Sequence, residues 1–114
     1  MPLEITETKT GSTTLLQLKG TMVIGKDPEV VTAKVQSLVE AGETQIILDM
    51  GEVAYLDSTG ISALIRCHIS STRRGAALKL LHLTKRVYDV LQITRLSSVF
   101  EIYDDQEKAL ASFN

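Results

Sequence analysis

Apolar and polar residues alternate over Leu3–Lys9 and again, in part, over Thr14–Lys19, with the turn-forming pair Gly11-Ser12 between them. This period-two pattern with a short polar break predicts a β-hairpin. Gly20 is expected to end the second strand, with a loop running on through Lys26. Asp27-Pro28 then carries the chemistry of a helix start: an acid able to accept from the first free amides, and a proline where no N–H is needed. Val31, Val35, Leu38 and Val39 fall on one stripe of that helix, and Gly42 lies just past it, where a left-handed cap forms easily. Gln45–Asp49 is short, β-branched and nearly all apolar, which suits a central strand covered on both faces, and Met50–Leu56 reads as a loop returning to that layer. A second helix over Thr59–Arg74 offers Ile61, Leu64, Ile65, His68 and Ile69 as its buried stripe, with Ser62, Arg66, Ser70 and Arg73 mostly opposite and Gly75 at its end. Leu78–His82 predicts another short strand. Thr84 can cap a third helix that turns Val87, Val90 and Leu91 inward, and Val99–Tyr103 predicts the last strand. Asp104 and Glu107 have capping-box spacing ahead of a C-terminal helix packing Ala109, Leu110 and Phe113.

The resulting order is β-β-α-β-α-β-α-β-α. Strands that alternate with helices through short connections imply crossovers and a mainly parallel sheet, to which the opening hairpin adds an antiparallel part. The class is α/β. With 114 residues the chain fits one core and one domain, residues 1–114. Apolar residues at 44% and charged residues at 23% match a folded globular protein. With no Trp, three Tyr and two Phe, its core has to be built from Leu, Ile and Val.

Charge narrows the function classes. The net charge is −2, and Arg66, Arg73, Arg74, Lys85, Arg86 and Arg95 form no run, so the clustered phosphate contacts of a nucleic-acid binder are missing. Cys67 is alone among apolar residues and reads as a small buried side chain. The Met1-Pro2-Leu3-Glu4 opening lacks a charged and an apolar leader region, and no apolar run nears the ~20 residues of a membrane span. A cytoplasmic protein without membrane insertion is expected, monomeric when free.

Asp57-Ser58-Thr59-Gly60 is the most informative stretch. It stands between a strand-loop and an amphipathic helix, where unpaired amides and the helix macrodipole make the chain end partly positive. Capping alone would account for an isolated Asp-Ser-Thr at such a place. The context adds more. Ile47-Leu-Asp-Met-Gly-Glu-Val-Ala-Tyr-Leu-Asp-Ser-Thr-Gly-Ile61 closely resembles the strand-loop and D-S-[ST]-G motif of STAS-domain anti-sigma factor antagonists. The resemblance continues through Leu64, Gly75, Leu78–Leu81, Val87, Val90-Leu91, Leu96, Val99-Phe100 and Glu107–Leu110, nearly the whole chain.

That resemblance implies a STAS-like fold and a bacterial partner switch in transcription regulation. Such a chain binds an anti-sigma factor that is also a serine kinase, so releasing a sigma factor. The kinase phosphorylates the first hydroxyl of the motif, here Ser58, and binding is lost; a PP2C-type phosphatase restores it. The expected partner surface comprises Met22, Val23, Ile24, Gly25, Lys26 and Asp27, together with Asp57, Ser58, Thr59, Gly60, Ser62 and Arg66. Lys26 or Arg66 could approach a phosphate only through folding. Many family members carry G-E-[LIV]-D after the second strand; Gly20-Thr-Met-Val23 keeps the glycine and lacks both acids, and Asp27 could supply one.

Catalysis is not expected. Ser58 is outside a G-x-S-x-G elbow, His68 and His82 have no triad context, and the motif places its glycine one position away from that of an aspartic protease. Two separated His and one Cys do not make a metal site, and there is no P-loop, so no cofactor is expected. The competing function is that of a STAS interaction subunit, never phosphorylated, in a stress-signalling scaffold or a transporter complex.

Overall fold

A computed structural model describes residues 3–113, so the Met1-Pro2 opening lies outside the described residues. Five strands form one sheet in the order β1-β2-β3-β4-β5. Strands β1 (Glu4–Thr10) and β2 (Thr13–Met22) make the hairpin, registered antiparallel from Glu4–Lys19 to Thr10–Thr13. Strands β3 (Gln45–Leu56), β4 (Ala77–Leu81) and β5 (Glu101–Tyr103) then add in parallel. Helices α1 (Glu29–Glu40), α2 (Ser58–Arg73), α3 (Lys85–Ile93) and α4 (Gln106–Ala111) alternate with them, giving the order and the mixed sheet that the sequence predicts.

The two faces of the sheet are covered unequally. Leu16, Leu18, Ile46, Leu48, Met50 and Leu80 point into the larger core with Val31, Val35, Leu64, Val87 and Leu91 from α1, α2 and α3. Leu15, Ile47 and Leu81 point the other way, where α4 brings Ala109 with Leu110 and Phe113. Ile46, Ile47 and Leu48 are thus buried on both sides of β3, as a continuous apolar run requires. On the smaller face Lys79 is buried, and its ammonium ties α4 down by donating to the Ser112 carbonyl at 3.1 Å and hydroxyl at 2.8 Å while lying 4.3 Å from the Phe113 ring centroid.

Several boundaries differ from expectation. Strand β2 continues through Gly20 to Met22, and β3 extends to Leu56, so Met50–Leu56 is strand and not loop. Beyond Asp49 this extension has lost β4 and is paired with β2 alone, through Lys19–Glu52, Gly20–Val53 and Met22–Leu56. Asp27 does not cap α1: the cap position is Pro28 without a side-chain bond, and Asp27 sits at φ +53 with its carbonyl accepting from Val30 N. Gly42, at φ +96, closes α1 as expected, with Glu43 N donating back to Leu38 O at 3.0 Å. The last strand is shorter than Val99–Tyr103, and the C-terminal helix is capped by Asp105, not Asp104, whose carboxylate accepts from Glu107 N and Lys108 N.

The buried stripe of α2 is also rotated from the predicted one. It consists of Gly60, Ala63, Leu64, Cys67 and Ser71; Ile61, Ile65 and His68 are half-buried and Ile69 is exposed. Small side chains let α2 pack closely on α1, where the buried Thr32 hydroxyl donates to Ala63 O at 3.2 Å. Cys67 lies in this interface, and burial pushes its thiol up to about 12.

Candidate functional site

Where β3 ends, Asp57 adopts extended backbone at φ −108, ψ −165 and turns the chain into α2. Its carboxylate serves two segments. Oδ1 accepts from Thr59 N at 2.9 Å, Gly60 N at 3.3 Å and the Thr59 hydroxyl at 2.5 Å, an N-cap that satisfies the first free amides. Oδ2 accepts from Ile24 N at 2.9 Å, on the loop that leaves β2. The Thr59 hydroxyl first, then the Ile24 amide, lower the Asp57 pKa from 3.8 to about 2. Asp57 is therefore ionised at any physiological pH.

Glycine at position 60 is a steric requirement. A Cβ there would meet Met22 O at 2.1 Å, Met22 Cβ at 2.8 Å and Leu56 Cβ at 2.9 Å. The first turn of α2 is thus pressed onto the end of β2, whose Met22 carbonyl accepts from Asp57 N at 3.2 Å. This close approach leaves Ser58, the first residue of α2, exposed to solvent on the outer side of the turn.

The loop from β2 reaches the same place. Lys26 N donates to Val23 O at 3.0 Å and closes a turn with Ile24 and Gly25 at its tip; Gly25 has φ +86. Ile24 is 76% exposed, the most open large apolar side chain near the motif. Glu29, Ser58, Thr59, Ser62, Ala63 and Arg66 line a groove running from the tip of α2 along its outer side.

Most of the residues expected at the partner surface come together here. Ile24, Gly25, Asp27, Ser58 and Arg66 are exposed, and Val23, Lys26, Asp57, Thr59 and Ser62 are half-buried. Met22 and Gly60 are buried, so neither can offer a side-chain surface; they set the spacing between β2 and α2 instead. Of the two cations considered near Ser58, Arg66 shares its groove, whereas Lys26 does not line it. Sequence reasoning missed Glu29, which brings an acid to the groove from α1. Its only signal was an acid in the first turn of that helix.

Neither histidine belongs to this site. The His82 Nδ1 lies 3.1 Å from Asp49 Oδ1 beyond the end of β4, and His68 packs edge-on against Phe100 with centroids 5.5 Å apart. Among the described residues no cluster of three His, Cys, Asp or Glu could hold a metal ion, and no helix is long and apolar enough to cross a membrane.

Comparison with known proteins agrees with this architecture. The family model described as the STAS domain matches residues 4–109. A protein of Bordetella bronchiseptica, provisionally named the anti-sigma factor antagonist BtrV, is 26% identical over 92 residues, 81% of this chain and 79% of its own. The crystal structure of a candidate anti-sigma factor antagonist from Thermotoga maritima superposes with a TM-score of 0.87 at 19% identity, covering 95% of this chain and 92% of that one. The Bacillus cell fate determinant SpoIIAA, in its phosphorylated form, has a TM-score of 0.74 at 18% identity over 97% of this chain and 100% of its own.

Proposed function

Given that this chain belongs to the STAS-domain family, we propose that it is an anti-sigma factor antagonist switched off by phosphorylation at Ser58. It binds an anti-sigma factor that doubles as a serine kinase, and so frees a sigma factor. The kinase moves the γ-phosphoryl group of ATP to Ser58 Oγ: the Oγ–P bond forms, the bond to the bridging oxygen breaks, ADP leaves and the hydroxyl proton passes to a base on the kinase. A PP2C-type phosphatase reverses the mark. The chain itself is ligand and substrate in this cycle.

The observation that carries this reading is an exposed hydroxyl at the start of α2, beside an exposed apolar turn. Ile24 offers a partner apolar area, and a phosphate on Ser58 would place roughly −1.5 to −2 charges at the edge of that contact. A partner that must desolvate such a dianion and loses ~3 kcal/mol binds more than a hundredfold more weakly. SpoIIAA, whose fold this chain shares, exists in a phosphorylated form.

Intact-mass analysis of the protein from its native cells, with localisation of any added phosphate, tests the reading. A stoichiometric mark on Ser58 is expected under some growth condition. Its absence under all conditions would favour a fixed interaction subunit, a role compatible with the lack of acids in Gly20-Thr-Met-Val23.

A further inference from the structure

We propose that the Asp57 carboxylate positions the turn carrying Ile24, and that a phosphate on Ser58 acts on that turn through Asp57. The inference rests on the reading of Ser58 above and deepens it. Asp57 becomes a positioning residue that joins the modified helix end to the partner-facing turn.

The geometry is specific. The tip of the turn is tied to the rest of the fold by Ile24 N donating to Asp57 Oδ2 across 33 residues of sequence. The other backbone bonds at this turn, Lys26 N to Val23 O and Leu3 N to Lys26 O, hold its base and not its tip. Exposed turns with few bonds open at low free energy, so one charge-assisted bond decides how firmly Ile24 is presented. The other oxygen of the same carboxylate takes Thr59 N, Gly60 N and the Thr59 hydroxyl. Thr59 is thereby committed internally, which leaves Ser58 as the free hydroxyl of the pair.

A phosphate on Ser58 enters one residue away with three acceptor oxygens and up to two negative charges. The amides of Thr59 and Gly60, which Asp57 already uses, form the positive end of α2 on which such a phosphate draws, alongside Arg66 in the same groove. Two adjacent anions then share one set of donors. In the unmodified chain the Asp57 pKa is already lowered to about 2, so at neutral pH the carboxylate meets the phosphate as an anion. The carboxylate has to shift, and its remaining bond, to Ile24 N, weakens. The mark is thus read twice, as a charge at the contact and as a loosened turn.

Amide hydrogen exchange followed by NMR on the full chain tests this without any kinase. The forms compared are the wild type, Asp57→Ser, and a chain carrying phosphoserine at position 58 installed during synthesis. Serine keeps a capping oxygen but has no second one for Ile24. Asp57→Asn supplies the same comparison should that variant fold poorly, because it presents an amide NH2 to the Ile24 N–H. The Ile24 amide is expected to exchange about tenfold or more faster in the variant and in the phosphorylated chain, with Leu16 and Leu48 amides of the sheet unchanged. An unaltered Ile24 rate in the Asp57 variants overturns the positioning role, and an unaltered rate in the phosphorylated chain overturns the transmission. Because the phosphate is placed chemically, its absence from native cells would remove the functional reading and leave this coupling standing.

Discussion

At the scale of single residues, three side-chain environments make measurable demands. A Cβ at position 60 would have to displace the Met22 carbonyl, which belongs to the sheet and gives little. Gly60→Ala should therefore cost about 1–3 kcal/mol, and Gly60→Val more, read as a lower urea midpoint. Asp57 is the group whose titration matters. Its pKa is lower in the folded chain than the ordinary 3.8, so ionisation favours folding, fully above that value and progressively less as pH falls toward about 2. The gap in urea midpoint between wild type and Asp57→Asn should hold steady from neutral pH down to about 4 and narrow below it; a gap constant over the whole range would show that the charge is irrelevant. Cys67, its thiol pushed up by burial, should resist thiol reagents in the native chain at neutral pH and react at once in urea. Rapid labelling without denaturant would mean that the α1–α2 interface opens readily.

Between residues and the whole lies the question of why some elements were legible and others not. Helix α1 was readable because one side of it faces water, so burial writes its period into the sequence: Val31, Val35, Leu38 and Val39 are all buried. The hairpin was readable from its Gly11-Ser12 break, since β1 is exposed almost throughout and β2 opens with four buried residues in a row. The outer half of β3 was not, because Gly51, Glu52 and Ala54 are exposed where β4 has ended and no second neighbour demands apolar side chains. On α2, a reading that ranks Ile above Ala, Gly and Ser chose the wrong stripe. The packed face there is built of small residues that let the helices approach, and Ile69 is left 43% exposed. Caps are a matter of backbone conformation as much as residue type. Thr84 and Asp27 look equally suited, yet Thr84 has extended φ/ψ and accepts from Val87 N at 3.2 Å, while Asp27 sits at φ +53 and caps nothing. Thr84→Ala should accordingly lower stability by about 1 kcal/mol. Asp27→Gly should be neutral or up to about 1 kcal/mol stabilising, since glycine adopts that φ without strain. Thermal or urea melts of the two variants check both signs. The site was legible as a tetrapeptide. Its link to Ile24 was not, because a bond across 33 residues leaves no local pattern.

For the molecule as a whole, the consequence of phosphorylation should fall on association and not on folding. Ser58 is exposed at the outermost turn of α2, and the buried side chains of the large core lie on the far side of that turn. A phosphate there removes no apolar surface from the interior, and the positive end of the helix offsets part of its self-energy by about 0.3–1 kcal/mol. The net charge goes from −2 to about −4, a modest change for a chain of this size. Folding stability of the phosphorylated and unmodified chains should therefore agree within about 2 kcal/mol in urea melts, the weakened Ile24 bond included, while affinity for the proposed anti-sigma partner falls more than a hundredfold. Part of that loss is electrostatic between solvated groups and should shrink as salt shortens the Debye length from about 10 Å toward 3 Å. The part due to desolvating the phosphate and to the loosened turn should persist at high salt. Calorimetric titration of Ser58→Ala, Ser58→Asp and the phosphorylated chain at two ionic strengths separates the two parts. If the phosphorylated chain proved several kcal/mol less stable while Ser58→Asp bound as tightly as Ser58→Ala, the switch would be local unfolding, and the exposed hydroxyl would not be the edge of a docking surface.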